Sequence, residues 1–476
     1  MTQVQPRKPT TDRGTIRPLL LVLIGVLALA RASGQIPDVT VPQHPNPQSP
    51  TTTAPTMIPH LTEGRLWISA QENAIWQANP SFDAGYSGPN SFRAHHDKAV
   101  GNVVTIYTGV LLNRSTAVEA DGESAAGLGL SSALGLAGFT NLDAVRDPTL
   151  TAVPYLARVF VDHYFGFDRE KETPGRGPLS MFAELPQHRL EIRLGKFAIP
   201  DFFDTNAVGS DSHLQFMNWS IDQNGTYDFT ADARGYTWGV VAEYQSPPWG
   251  ARFAEALETG PQNGGPLVWN LRRGNTSNGE FELHRGPVTK TGIIRLLAWV
   301  NHANMGVYKT AIQQYLDGVT PAPDLSAHPV QVTAKYGFGL NFEQAVTPAI
   351  TAYGRFGWNN GQTESWSFTE IDQTVSGGLG FPGWLWKRNE DRAGAAFASN
   401  GISSVHAHYL ALGGLGFVLG DGGLNYGREN LFELYYTAHV WHGLYTGPDL
   451  QCIFNPGFNR ARGPVLVTSL RVHVEF

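Results

Sequence analysis

The chain has 476 residues, of which 16% are charged and 11% aromatic, with 53 Gly and a formal net charge of −7. Charge this sparse sits well below the ~25% usual in soluble domains. A mean hydropathy of −0.20 excludes a helical membrane bundle, the weakly acidic balance excludes a nucleic-acid partner, and a lone cysteine, Cys452, excludes an intrachain disulfide.

The first predicted element is a secretory signal over residues 1–32. Arg7, Lys8, Arg13 and Arg17 form a basic lead, residues 19–30 an apolar run, and Ala30-Arg31-Ala32 a small-x-small cleavage site. The apolar run is too short for a spanning helix, which needs roughly 20 residues. Residues 33–60 follow as a tether rich in Pro, Thr and Gln. That composition has too little apolar surface to offset ordering entropy, so it is expected to be disordered or polyproline-like.

From residue 61 onward the chain offers short alternating runs and no long segment of period 3.6. Leu190, Ile192 and Leu194 alternate with Arg189, Glu191 and Arg193. Tyr236, Trp238, Val240, Ala242 and Tyr244 alternate with Thr237, Gly239, Val241, Glu243 and Gln245. Ile350, Ala352, Gly354 and Phe356 alternate with Thr351, Tyr353 and Arg355, and Phe432, Leu434, Tyr436, Ala438 and Val440 with Glu433, Tyr435, Thr437 and His439. The last stretch, residues 465–476, puts Leu470, Val472, Val474 and Phe476 on one side and Ser469, Arg471, His473 and Glu475 on the other. In each run the charges keep to one side, as in strands with lipid on one face and water on the other.

Tight turns are expected at 113–116, 246–248 and 347–348, and long loops at about 196–234, 258–288, 303–330 and 357–392. Short turns on one side and long loops on the other describe an all-β fold: a transmembrane antiparallel β-barrel with short periplasmic turns and long outer loops. With strands of ~10 residues, the length of 61–476 suits about 16 strands, with fourteen or eighteen fitting almost as well, and a barrel of 16–18 strands is wide enough for an aqueous channel. Trp67, Trp76, Trp238, Trp249, Trp299, Trp358 and Trp441 lie near predicted strand ends and are expected to form interfacial girdles.

Three blocks carry a family resemblance. Residues 195–239 read GKFAIPDFFDTNAVGSDSHLQFMNWSIDQNGTYDFTADARGYTWG, residues 364–380 read ESWSFTEIDQTVSGGLG, and residues 429–476 contain NPGFNRARGP at 455–464. In this order they resemble the OprB-like carbohydrate-selective porins, over roughly 61–476. The tether at 36–60 is not a general feature of that family, and residues 123–148 resemble one branch of it. The resemblance implies a barrel in a Gram-negative-type outer membrane, monomeric or a loose homo-oligomer, that passes monosaccharides and small carbohydrates by facilitated diffusion. Its partners are then small carbohydrates, outer-membrane lipid and, through the terminal strand ending in Phe476, the barrel-assembly machinery. It implies no cofactor.

A sugar entering such a bore must exchange water for hydrogen bonds of similar quality, held weakly enough that it leaves again. Candidate lining groups are Glu119, Asp121 and Glu123, which alternate; Arg158 and Asp162; Arg189, Glu191 and Arg193; and, in the longest loop, Lys196, Asp201, Asp204, Asn206, Trp219 and Asp232, with Asp211 and Asp222 beside them. Because PDFFD and FMNW are too apolar for an exposed loop, residues 195–235 are expected to fold inward and narrow the pore. His406 and His408 would share one strand face but lack a third ligand for a metal, and no Gly-x-Ser-x-Gly elbow is present. The rival readings are an outer-membrane barrel enzyme of lipase type and a secreted β-rich sugar-binding protein.

Overall fold

The computed structural model describes residues 55–60, 64–145, 150–285, 292–347 and 349–476. The expected signal, and the expected tether apart from residues 55–60, lie outside them. The first quarter of the barrel comprises β1 (Leu66–Asn79), β2 (Asp97–Asn113), β3 (Thr116–Ala126) and β4 (Tyr155–Gly166). A two-stranded ribbon, β5 (Lys171–Glu172) and β6 (Leu185–Pro186), interrupts the sequence before β7 (Arg189–Phe197), β8 (Thr237–Gln245), β9 (Trp249–Leu257) and β10 (Asn275–Leu283). The remainder is β11 (Gly292–Ala303), β12 (Thr333–Thr347), β13 (Ile350–Asn359), β14 (Gln373–Pro382), β15 (Arg392–Gly401), β16 (Glu429–Trp441), β17 (Leu444–Phe454) and β18 (Val465–Glu475). Apart from β5 and β6, these strands form one closed antiparallel barrel of sixteen strands, sealed where β1 pairs with β18 from Gln71↔Glu475 to Ala78↔Thr468.

The alternation in the sequence becomes inside and outside. On β18, Leu466 and Leu470 are exposed on the outer face, while Val467, Ser469, Arg471, His473 and Glu475 are buried within. On β7, Leu194 stands outside and Arg189, Glu191 and Arg193 inside. A row of aliphatic side chains on the outer face matches acyl chains, and the polar row is left to the bore. Between β3 and β4 the register shifts: Asp121 pairs with Arg158 but Gly122 with Leu156. This bulge at Ala157 lets both Arg158 and Tyr155 face inward, where strict alternation would send Tyr155 out.

Two expected long loops each conceal a strand. Residues 258–288 include β10, and 357–392 include β14. On β10 the outward positions are Asn275, Ser277, Gly279, Phe281 and Leu283, so the apolar row is broken over its first half; on β14 they are Gln373, Val375, Gly377, Leu379 and Phe381, and glycines fall on both faces. Both strands are held by both neighbours. The two ends of the barrel differ as expected, with two-residue links 114–115 and 442–443 at one end and loops such as 198–236, 304–332 and 402–428 at the other. One link departs from this. Residues 167–188, at the short-turn end, carry β5 and β6 and bury Met181, Phe182 and Leu185 against Trp67 and Ala117.

Trp67 therefore points inward, as does Trp299, which packs 5.9 Å from Tyr227. Neither belongs to a girdle. Trp76 and Trp441 are exposed on the outer face. His406 and His408 are not on a strand: they lie in the helix Ser404–Ala411, with His406 buried and His408 exposed. Residues 55–60 lie against the short-turn end of the seam. The Met57 amide donates to the Glu475 carbonyl (2.7 Å), and the Tyr445 hydroxyl donates to the Pro55 carbonyl (3.1 Å).

A constricted bore lined by aromatic rings and acids

The loop at 198–236 does not stay outside the barrel. From Phe202 to Tyr236 it runs through the bore with most residues buried and none fully exposed, and Phe203, Phe216, Ile221 and Tyr227 are each 1% exposed or less. Apolar residues drive it inward, and the inner wall supplies partners for its backbone. On β13, Arg355 donates to the carbonyls of Asp204 (2.9 Å), Gly209 (2.9 Å) and Ile221 (2.7 Å) and to the Ser210 hydroxyl (2.6 Å). On β16, Glu433 accepts from the amides of Met217 (2.6 Å) and Asn218 (3.2 Å). On β18, Arg471 donates to the carbonyls of Ser212 (2.8 Å) and Gln215 (2.9 Å). Glu280 of β10 accepts from the Asp204 amide (2.8 Å). The wall is bare where the loop lies closest: a Cβ on Gly357 would stand 2.1 Å from Asn224 Oδ1 and 2.2 Å from Thr226 Oγ1.

Two further loops turn in against it. Asp228 accepts from the amides of Trp366 (2.7 Å), Ser367 (2.9 Å) and Phe368 (3.0 Å). The Trp219 and Phe368 rings stack at 5.1 Å and 5°. Residues 137–141 bring Phe139 edge-on to Trp219 and the Asn141 carbonyl to Trp219 Nε1 (2.6 Å). The three blocks picked out in the sequence thus meet inside the barrel, joined through Asp228 and Glu433.

Between the wall and the inserted segments lies a cavity of about 270 Å³. The wall contributes Gln71, Tyr107, Glu123, Tyr155, Arg158 and Glu475 to its lining; the inserted segments contribute Asp143, Asp211, His213, Trp219, Asp222, Phe229, Asp232, Arg234, Tyr236 and Phe368. Hydroxyls of Thr105 (3.1 Å), Tyr236 (2.9 Å) and Tyr155 all donate to Glu123. The Arg158 fork grips Asp201 through two 2.7 Å bonds, and the Arg234 guanidinium lies 4.0 Å over the Tyr155 ring. His213 meets Asp143 at 3.2 Å and stacks on His473 at 5.5 Å. Burial alone would lower the His213 pKa, but the Asp143 charge and hydrogen bond, with Asp211 and Glu475, carry it up to about 9. Despite burial, the same contact lowers the Asp143 carboxyl below its ordinary value.

Of the residues singled out in the sequence, Glu123, Arg158, Asp201, Asp211, Trp219, Asp222 and Asp232 line this cavity. Others face the bore but are bound in a chain of ion pairs on its wall. Arg193 reaches Asp162 (3.3 Å), Glu243 (2.8 Å) and Glu191; Arg252 reaches Glu243 (3.0 Å) and Glu280 (2.6 Å); Arg295 reaches Glu282 (2.7 Å). Arg189 bonds Glu172 in β5 (2.7 Å), and Asp121 meets Arg158 at 3.4 Å. Glu119 is buried, both oxygens without a hydrogen-bond partner among the described residues. Asp204 and Asn206 are anchors of the inserted loop, both bonded to Asn341. Lys196 does not line the bore. It shares the outward parity of Leu190, Ile192 and Leu194, and its amine turns to the Leu156 carbonyl (2.9 Å) and Asp232 (3.6 Å) at the rim.

Tyr107, Tyr155, Arg234, Phe229 and Phe368 were not singled out in the sequence as lining residues. For Tyr155 the alternation would have misled, because the bulge reverses it. ESWSFTE signalled Phe368 only as part of a block.

A family model described as carbohydrate-selective porin, OprB family, matches residues 93–476. No curated protein sequence matches the chain. Among solved structures, OprB of Pseudomonas putida at high pH superimposes with a TM-score of 0.64 at 16% identity, covering 87% of this chain and 94% of that one. The outer membrane channel DcaP of Acinetobacter baumannii gives a TM-score of 0.46 at 8% identity, over 88% of this chain and all of that one (100%). OccAB1 of the same organism gives 0.44 at 11%, over 90% and 99%. The closed sixteen-strand barrel is thus shared with the Pseudomonas protein, and the family match extends over most of the sequence: this chain belongs to the OprB family of carbohydrate-selective porins.

Proposed function

We propose that this porin passes monosaccharides and other small carbohydrates down their gradient, and that the cavity between the β1–β4 wall and the inserted loop is the narrow step. The observation that carries this reading is the lining itself. Aromatic faces (Trp219, Phe229, Phe368, Tyr155, Tyr236) stand beside carboxylates and arginines in about 270 Å³. A pyranose has a C–H face suited to the rings and a rim of hydroxyls suited to the charges. Weak, replaceable hydrogen bonds let it move on. Glu123, Arg158, Asp201, Trp219 and Asp232 are the lining residues we assign to that step. Glu119, Asp121, Asp162, Glu191 and Arg193 keep the wall polar behind it.

The family and fold support reading the molecule as a channel rather than an enzyme, seated in an outer membrane. Within that frame, residues 1–32 act as an export signal and 33–60 as a periplasmic tether. The β18 strand with Phe476 is read by the barrel-assembly machinery, and the barrel works as a monomer or a loose homo-oligomer. Planar-bilayer recording with glucose, xylose and maltose as blockers tests the central claim. Concentration-dependent block by glucose and xylose is the expected result; ion current indifferent to all three sugars would refute it.

A further inference from the structure

We propose that Asp222 is the acceptor that recognises sugar hydroxyls in the constriction; the inference rests on the porin reading above. The other acids of the cavity are already engaged. Glu123 accepts from three hydroxyls, and Asp201 holds the Arg158 fork and the Ala198 amide (3.0 Å). Asp143 accepts from Asn73 (2.5 Å) and His213. Asp211 accepts from the amides of His213 (3.2 Å) and Leu214 (3.0 Å) and faces Arg392 at 3.6 Å. Asp232 takes the amides of Arg234 (2.9 Å) and Tyr236 (3.1 Å), and Glu475 takes His473 (3.0 Å).

Asp222 differs. Its Oδ2 accepts from Gln223 Nε2 (3.0 Å), whereas its Oδ1 has no hydrogen-bond partner among the described residues, although the residue is 1% exposed and lines the cavity. A buried acceptor left open costs free energy that a donor can recover. The residue is also held in place. It closes the helical turn Trp219–Asp222, its carbonyl accepts from Ser210 Oγ (3.2 Å), and Arg355 fixes the neighbouring Ile221 carbonyl. Trp219, Phe229 and Phe368 share the same cavity. One unpaired, buried acceptor beside an apolar wall fits a pyranose presenting a hydroxyl on its edge and C–H groups on its face.

The protonation state of this acid then tunes the interaction. Arg355 and Tyr353 face it from β13, Asp211 and His213 from its own loop, and Asp143 stands behind His213. Burial pushes Asp222 up to about 7, against the pull of Arg355. Above that value it is a charged acceptor, and below it the acceptor is weakened. His213, carried up to about 9, stays protonated across the same range.

The experiment is glucose block of single-channel current, near pH 6 and near pH 8, for the wild-type porin and Asp222→Asn. A charge-assisted hydrogen bond corresponds to about tenfold or more in affinity. Wild-type block should therefore be about tenfold tighter near pH 8 than near pH 6, and Asp222→Asn should bind weakly and equally at both. Should the variant fail to insert, the wild-type pH dependence decides alone. Ordinary glucose block that is flat with pH, or unaltered in Asp222→Asn, overturns this inference and leaves the porin reading standing. A wild-type channel blind to glucose at both values removes the porin reading and this inference with it.

Discussion

Arg355 shows how much one side chain can organise. Its guanidinium bonds three loop carbonyls and one hydroxyl and lies 3.0 Å from Asp204, with no exposed surface of its own. Arg355→Ala strands all of these acceptors at once. Loss of a buried pairing of this kind costs about 3–5 kcal/mol, so the variant's thermal midpoint should fall markedly. Arg355→Lys should not restore it, because an ammonium cannot span a planar fork. His213 makes a second claim at this scale. Its pKa lies above the ordinary ~6.5, so the clasp to Asp143 is at full strength below that value and is lost as pH rises through about 9. Protease resistance of the loop should fall over that window, and His213→Ala should abolish the pH dependence. A wild-type profile that is flat from neutral pH to above 9 would contradict it.

At the scale of elements, the inserted loop is the feature on which the aperture depends. Removing residues 206–215 deletes a stretch that crosses toward β18, and single-channel conductance should rise several-fold; unchanged conductance would show that the loop does not set the aperture. Gly357→Val introduces side-chain atoms where Asn224 and Thr226 now sit. Overpacking of this sort costs about 1–3 kcal/mol, measurable as a lowered melting temperature. The inward course of this loop was legible from PDFFD and FMNW, because phenylalanines and tryptophans in a long connection need somewhere dry to go. Its anchors were not. Asp204 and Asn206 read as lumen groups, since only the folded wall reveals Asn341 opposite them. The strands β10 and β14 are hard to read for a related reason: Asn275, Ser277 and Gly279 break the outward row of β10, and glycines fall on both faces of β14, so alternation loses contrast. Trp67 and Trp299, expected in the girdles, turn inward, since nearness to a strand end carries no information about parity. Lys196 was read by its neighbours in the loop, although as the penultimate residue of β7 it follows the lipid-side row.

For the whole molecule, barrel and lining together set the electrical character of the pore. The wall chain sets Arg193, Arg252 and Arg295 among the carboxylates of Asp162, Glu191, Glu243, Glu280 and Glu282, with acids in excess. The cavity is acidic too: Glu123, Asp143, Asp201, Asp211, Asp222, Asp232 and Glu475 face Arg158, Arg234 and His213. Such an excess raises local cation concentration, so reversal potentials in a salt gradient should show a preference for potassium over chloride that weakens at high ionic strength. Anion preference would contradict this reading of the lining. The barrel class, the approximate strand number and the family were all readable from sequence, since each repeats over hundreds of residues. The cavity was not, because it lies where three distant segments converge.

That convergence has a mechanical side. Connections from the inserted loop to β10, β13, β16 and β18 act like spokes, bracing opposite arcs of the rim from within. An empty hoop of this width would flatten under sideways squeeze from the surrounding leaflet. A spoked one keeps its roundness, so its bore should hold the same calibre in thick and thin bilayers alike.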